Sequence, residues 1–217
     1  MPDRKAAIFD LDGTMVDNHV YHKDAWMEFC RRRGFDFDDS DFKTKIFGKT
    51  SREFATILMG DVSEDELKSF EEEKESIYRS LYKDHIQPIS GLIRFLDDLR
   101  RSGFLLGVAT SAPRVNLDFS LAGLELEGYF DSLMCLNDIA KEKPDPEIYI
   151  KSMMNLEVDP ANSVVFEDSL PGVKAGTQAK AKVVGISTSL HASEMTGASL
   201  VIEDYSEITS ETIIELI

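Results

Sequence analysis

Short apolar runs alternate with helical stripes along most of this chain. Ala6-Ala7-Ile8-Phe9 is a continuous apolar run and predicts a buried strand over 5–10. Over 19–33, Val20, Ala25, Trp26, Phe29 and Cys30 recur at spacings near three and four. That is the period of an amphipathic helix, and Gly34 is placed to end it. Residues 35–85 continue helical and polar, with Glu71-Glu72-Glu73 reading as a solvated helix face. No strand pattern occurs between 19 and 88, and Pro88-Ile89-Ser90-Gly91 marks a boundary. The rhythm then changes. A helix over 92–101 leads through Gly103 to an apolar strand over 104–109, then a helix over 113–122 and a short strand over 132–135. Asp145-Pro146 opens another helix, with an acid as cap and proline in the first turn. A strand over 164–166, a helix over 172–180, strands over 182–186 and 200–202, and a last helix from Ser206 complete the pattern. Apolar strands alternating with helices predict an α/β fold: a parallel sheet with helices on both faces. The block after the first strand is a helical insert. There is no internal repeat and no low-complexity segment.

The 217 residues suffice for one generous domain or a core with an insert, and 42% hydrophobic content allows a real core. The formal net charge is −16, with 40 acids against 24 bases. No basic stripe is available to neutralise phosphates, which argues against nucleic acid as a partner. An anionic substrate would need positive charge supplied locally. Cys30 and Cys135 are far apart and form no CxxC pair, which points to a reducing compartment without zinc or a disulfide framework. The run after Arg4-Lys5 is too short for a secretory or membrane segment. A cytoplasmic monomer without a membrane partner is the expectation.

Ligand sites of open parallel sheets lie beyond the carboxyl ends of the strands. After the first run come Asp10 and Asp12, which share one face of an extended segment, with Gly13 permitting a sharp exit. After Val108-Ala109 come Thr110 and Ser111; before the Asp145 helix stands Lys143; after Val164-Val165-Phe166 come Glu167 and Asp168. Acids, hydroxyls and one lysine thus converge. Phosphoryl transfer needs these parts. Asp10 can attack phosphorus as a carboxylate nucleophile. Mg²⁺ held by Asp10 and Asp168 can cancel the repulsion between nucleophile and phosphate, with the backbone carbonyl of Asp12 as a third ligand. The Asp12 side chain is then free to protonate the leaving oxygen and activate the incoming hydroxyl. Thr110 offers a hydroxyl, and the amides beyond it, at Ser111 and Ala112, stand near a helix start where anions bind. Lys143 supplies a point charge, and Pro144 restricts it to an extended conformation. Successive strand residues point oppositely, which favours Asp168 as the direct ligand; Glu167 stays open between ligand and supporting acid.

Asp10-Leu11-Asp12-Gly13-Thr14, Thr110-Ser111, Lys143-Pro144 and Glu167-Asp168 resemble, in order and spacing, the four motifs of the haloacid dehalogenase superfamily. Within it the chain is most similar to the β-phosphoglucomutase-like phosphatases, through the stretch from Glu167 to Gly176. The resemblance implies a Rossmann-like core over 1–16 and 89–217, an α-helical cap over 17–88 that closes over the substrate, and Mg²⁺ dependence. It also implies substrate-binding roles in the cap for His22, in the Tyr21-His22 segment, for Arg52, in Ser51-Arg52-Glu53, and for Lys74, near Tyr78. One departure stands out. Where the mutase holds its substrate's other phosphate with a serine and a lysine, this chain has Ala112 and Pro113, followed by Arg114.

The expected function is therefore a Mg²⁺-dependent phosphatase acting on a small phosphorylated metabolite, a sugar phosphate, through an aspartyl phosphate. The alternative is a phosphosugar mutase using the same intermediate. A signalling receiver also combines acids, Thr or Ser and Lys on an α/β sheet. Receivers lack an Asp-x-Asp pair followed by a helical insert. A dehalogenase is disfavoured because Asp12 and the metal site suit phosphate chemistry.

Overall fold

The structure is a computed structural model that describes residues 4–46 and 51–217. In chain order its elements are β1 (Lys5–Phe9), α1 (His19–Arg32), α2 (Asp39–Asp41, running into a wider turn over Phe42–Ile46), α3 (Ser51–Met59) and α4 (Glu64–Tyr82). Then follow α5 (Leu92–Arg101), β2 (Phe104–Ala109), α6 (Arg114–Gly123), β3 (Ser132–Met134), α7 (Glu147–Leu156) and β4 (Ser163–Glu167). The last are α8 (Leu170–Gln178), β5 (Lys182–Ile186), β6 (Leu200–Ile202) and α9 (Ser210–Leu216). They fall into two compact units: the residues up to Asp17 together with Ile86–Ile217, and Asn18–His85.

The first unit is the sheet. Its strands run parallel in the order β3-β2-β1-β4-β5-β6. β1 lies between β2 and β4, with Phe9 opposite both Val108 and Phe166. Strand order therefore reverses between β1 and β4, and the carboxyl ends of these strands form the switch point where such sheets bind ligands. Both faces of β1 are covered, as its unbroken apolar run requires. Ala6 and Ile8 join Val165, Tyr149, Met153, Leu156 and Val173 in one core layer. Phe9, on the other face, stacks on Phe166 at 4.4 Å and meets Phe95 and Tyr205. Among the described residues no helix is long and apolar enough to cross a membrane.

Element ends differ from the sequence expectation where side chains set them. α8 starts at Leu170 rather than 172, because the Ser169 hydroxyl caps it, accepting from the Gly172 amide at 3.2 Å, with Pro171 in the first turn. α9 starts at Ser210, capped by Thr209, rather than at Ser206; Ser206 instead donates its amide to Asp204 in a turn. Asp145 accepts from the Glu147 amide, so α7 begins just after Pro146. Glu167 is the last residue of β4 rather than the first beyond it.

The helical unit packs α1 against α4 around a cluster of Trp26, Phe29, Phe54 and Phe70. Ser63 and Glu66 cap α4 reciprocally. Gly34 follows α1 with a φ of 81°, the left-handed conformation that glycine adopts freely. Cys30 lies in this unit and Cys135 in the sheet unit; both are buried and free.

Candidate active site

The site is built from the ends of β1, β2 and β4. Asp10 leaves β1 with its amide bonded to the Phe166 carbonyl on β4 at 3.0 Å, which fixes its backbone to the sheet. The chain then turns: Gly13, with φ at 76°, donates to the Val16 carbonyl, and Met15 donates to that of Leu11. An isolated parallel bridge joins Asp12 to Val16 across this turn. Asp10 is buried while Asp12 is partly exposed.

Lys143 reaches in from the loop before α7. Its Nζ donates to Asp10 Oδ1 at 2.5 Å, to Glu167 Oε1 at 2.6 Å and to the Ala109 carbonyl at 3.1 Å. An ammonium has three protons, so these three bonds aim it completely. Glu167 is fully buried and equally engaged. Its Oε1 also accepts from the Tyr149 hydroxyl at 2.5 Å, and its Oε2 accepts from the Ser169 amide and hydroxyl. Thr14 donates to Asp168 Oδ1 at 3.5 Å, and the Ser189 hydroxyl donates to Asp168 Oδ2. From the same loop after β5, Thr188 donates to the Gly13 carbonyl at 2.5 Å, tying the turn after Asp10 to this loop.

Carboxylate oxygens of Asp10, Glu167 and Asp168 lie within 4.8 Å of one another. With Asp12 nearby, several acids share one ammonium. Burial first, then the charges of Glu167, Asp168 and Asp12, push the Asp10 carboxyl well above the usual carboxylate range against the opposing pull of Lys143. Burial works to lower the Lys143 ammonium, but Asp10 and Glu167 outweigh it and hold the group charged, above the usual lysine value. All-oxygen donors with excess negative charge fit a hard divalent cation. Glu167's lone pairs already take four donated hydrogen bonds, so Asp10 and Asp168 are the carboxylates better disposed as ligands.

Thr110, buried at the end of β2, accepts the Ala112 amide on its Oγ1 at 3.0 Å. Its own hydroxyl hydrogen is thereby directed elsewhere, while the Ala112 amide is taken up. Ser111 is half-buried between them. Arg114 is drawn to Asp118 at 2.8 Å, one turn along α6.

The other predicted substrate residues belong to the helical unit. His22 lies flat on the Tyr78 ring, with ring centroids 3.9 Å apart, and its Nδ1 is 2.8 Å from Lys74 Nζ. Lys74 is buried, pairs with Glu75 at 2.8 Å and stands over Trp26. Arg52 is half exposed and paired with Glu64 at 2.6 Å.

Sequence reasoning missed Tyr149, Ser169, Thr188 and Ser189. The cap pattern Ser169-x-Pro171 was there to be read, but nothing in the spacing marks the two hydroxyls after β5.

Comparison with known proteins agrees with this architecture. The profile of the haloacid dehalogenase-like hydrolase family matches residues 7–186. Phosphorylated carbohydrates phosphatase of Thermotoga maritima is 33% identical over 81% of each chain. Validoxylamine A 7'-phosphate phosphatase of Streptomyces hygroscopicus subsp. limoneus is 30% identical over 94% of this chain and 95% of its own. Beta-phosphoglucomutase of Bacillus subtilis is 29% identical over 97% and 94%. Among solved structures, a HAD hydrolase of family IA, variant 3, from Entamoeba histolytica superposes with a TM-score of 0.90 at 29% identity, covering 98% of both chains. With the profile spanning most of the chain, and both phosphatases at or above 30% identity over most of its length, the chain belongs to the haloacid dehalogenase-like hydrolases.

Proposed function

We propose that this protein is a Mg²⁺-dependent phosphatase that hydrolyses the monoester of a small phosphorylated carbohydrate through an aspartyl phosphate on Asp10. The observation that carries this reading is the setting of Asp10: buried, 2.5 Å from the Lys143 ammonium and clustered with Asp168. Mg²⁺, with Asp10, Asp168 and the Asp12 carbonyl as its ligands, would supply positive charge against the phosphate dianion when bound. An Asp10 oxygen attacks phosphorus, and the bond to the sugar oxygen breaks. Asp12 gives that oxygen its proton, and the alcohol departs. Asp12, now a carboxylate, takes a proton from water, whose oxygen attacks phosphorus. The bond to Asp10 breaks, releasing inorganic phosphate and restoring the Asp10 carboxylate. The partial exposure of Asp12 suits a group that exchanges protons with water. Thr110 donates its hydroxyl hydrogen, and Ser111 its amide, to phosphoryl oxygens, while Lys143 neutralises one of them.

The two phosphatase relatives support a phosphorylated carbohydrate as substrate. The reading assigns carbohydrate selectivity to the helical unit, in its role as a cap, through His22, Lys74 and Arg52. A mutase is the second reading, favoured by the Bacillus subtilis relative. Against it stands the second phosphate grip: Ala112 and Pro113 have no charge, and the remaining cation, Arg114, stands in an exposed pair with Asp118.

The test is phosphate release across sugar phosphates, nucleotides and pyrophosphate with Mg²⁺, where sugar monophosphates should be hydrolysed fastest. Silence on the whole panel would overturn the phosphatase. β-Glucose 1-phosphate given with catalytic bisphosphate should yield more inorganic phosphate than glucose 6-phosphate; isomer formation faster by orders of magnitude would establish the mutase instead.

A further inference from the structure

Tyr149 occupies a position that an ordinary core residue of α7 would fill, yet it carries a hydroxyl into the charged layer above the sheet. It is fully buried, and its Oη donates to Glu167 Oε1 at 2.5 Å. The same Oε1 accepts from Lys143 at 2.6 Å, and the Tyr149 ring lies under that ammonium, 5.0 Å from Nζ.

We propose that the Tyr149 hydroxyl is a positioning residue for the phosphoryl-transfer step: it holds Glu167 in place and shares its charge, so that Glu167 does not draw Lys143 away from Asp10. The inference deepens the phosphatase reading and rests on it. Oε1 is split between two donors. Removing the phenol hydrogen leaves the whole oxygen to Lys143, strengthening that bond at the expense of the one to Asp10. The loss is felt where Lys143 must answer charge developing on the transferred phosphoryl group, and less where substrate merely binds.

Tyr149→Phe keeps the ring, its packing and its contact with the ammonium, and deletes only the hydroxyl. Two measurements on the full chain decide the matter. In steady-state hydrolysis, kcat should fall about tenfold, the scale of one hydrogen bond to a charged group, with KM within about twofold. In the presence of Mg²⁺, aluminium fluoride, which mimics the phosphoryl group during its transfer to an aspartate, should bind about tenfold more weakly by ¹⁹F NMR. Tyr129→Phe is the control: it deletes a phenol bonded to Asp97 away from the site and should change neither quantity. If kcat and fluoride affinity of Tyr149→Phe both equal the parent's, the proposal is overturned. It is equally overturned if the variant only melts earlier, with KM and kcat untouched, because the hydroxyl is then structural. If the parent hydrolyses no sugar phosphate yet binds the fluoride, and the variant binds it more weakly, the substrate reading fails and the role of Tyr149 stands. If the parent neither turns over nor binds the fluoride, both fall.

Discussion

An alanine at Gly172 probes the buried carboxylate directly. Gly172 lies in the first turn of α8 against Glu167, and an added Cβ would stand 1.9 Å from Glu167 Cδ and Oε1 and 2.1 Å from Oε2. Carbon contacts are comfortable at about 3.5 Å, so the carboxylate must retreat by roughly 1.5 Å. A free glutamate end would do so cheaply. This one is held by Lys143 at 2.6 Å, Tyr149 at 2.5 Å and the Ser169 hydroxyl at 3.1 Å, and such a retreat breaks bonds of that length. Helix propensity works in the other direction, since glycine to alanine inside a helix is worth about 0.5–1 kcal/mol. Separating a buried ion pair costs about 3–5 kcal/mol. The net destabilisation is then about 2–4.5 kcal/mol, or a Tm lower by about 4–18 °C at this chain length. Activity should suffer more: with Glu167 displaced, Lys143 loses one of three anchors, and kcat should fall about a hundredfold. Calorimetry and phosphate-release kinetics on one preparation check both numbers. A variant more stable than the parent with unchanged kcat would refute the reasoning, because propensity alone would then account for it and the carboxylate could not sit where it is described.

Two further outcomes concern the same site and a third concerns α1. Asp10→Asn should keep the circular dichroism of the parent and lose essentially all phosphate release, because an amide cannot form the acyl phosphate; near-parental turnover would remove Asp10 as the nucleophile. Ser189→Ala takes away a hydrogen bond donated to Asp168 and should weaken Mg²⁺ binding, read by titration calorimetry, about tenfold, while excess chelator abolishes turnover of the parent; an unchanged binding constant would leave Ser189 without a part in holding the metal. The Glu28 carboxyl is lowered from 4.5 to about 2, chiefly by hydrogen bonds from Arg31 and Arg32, so its contribution is complete above pH 4.5 and disappears as pH falls towards 2. A ¹³C NMR titration of Glu28 with its midpoint near 4.5 would show that these pairs do not persist in solution.

Much of the sheet was legible because buried parallel strands read as short apolar runs bounded by turn residues, too short for buried helices. Phe104–Ala109 runs apolar without a break, as does Val183–Ile186 after the exposed Lys182, and each strand covers the residues expected. The acids at strand ends were legible for a related reason: a carboxylate directly after such a run has no place in a core, so it asks for a site. Tyr149 gave no such signal. It follows Ile148 and precedes Met153 on α7, and at that spacing an aromatic reads as packing, which its ring does provide. Only its hydroxyl has another use, and periodicity is blind to a single atom. Thr188 and Ser189 were hidden differently, in a loop where Ser and Thr are the commonest residues and nothing in the sequence says which one faces Asp168.

Lys74 is the instructive case, because its surroundings in the sequence pointed the wrong way. Three glutamates precede it and one follows, a run that reads as a solvated helix face, with Lys74 as one more charge on it. Yet Lys74 is buried, with only 6% of its side chain exposed. The reason is the helical period rather than the local composition. Leu67, Phe70, Ile77 and Tyr78 are the buried residues of α4, and Lys74 stands four residues after Phe70 and four before Tyr78, on their stripe. An ammonium at a core position demands partners, and the helical unit supplies them: His22 Nδ1 at 2.8 Å, Glu75 at 2.8 Å and the faces of Trp26 and Tyr78. A leucine there would satisfy the stripe at far lower cost. Lys74 is instead bonded to a histidine stacked on tyrosine, whereas Arg52, half exposed and paired with an exposed Glu64, has the setting of a surface charge. Of the residues proposed for carbohydrate selectivity, His22 and Lys74 are therefore set into the packed helical unit and Arg52 is not, a distinction that comes from reading each charge against the period of its helix instead of against its neighbours.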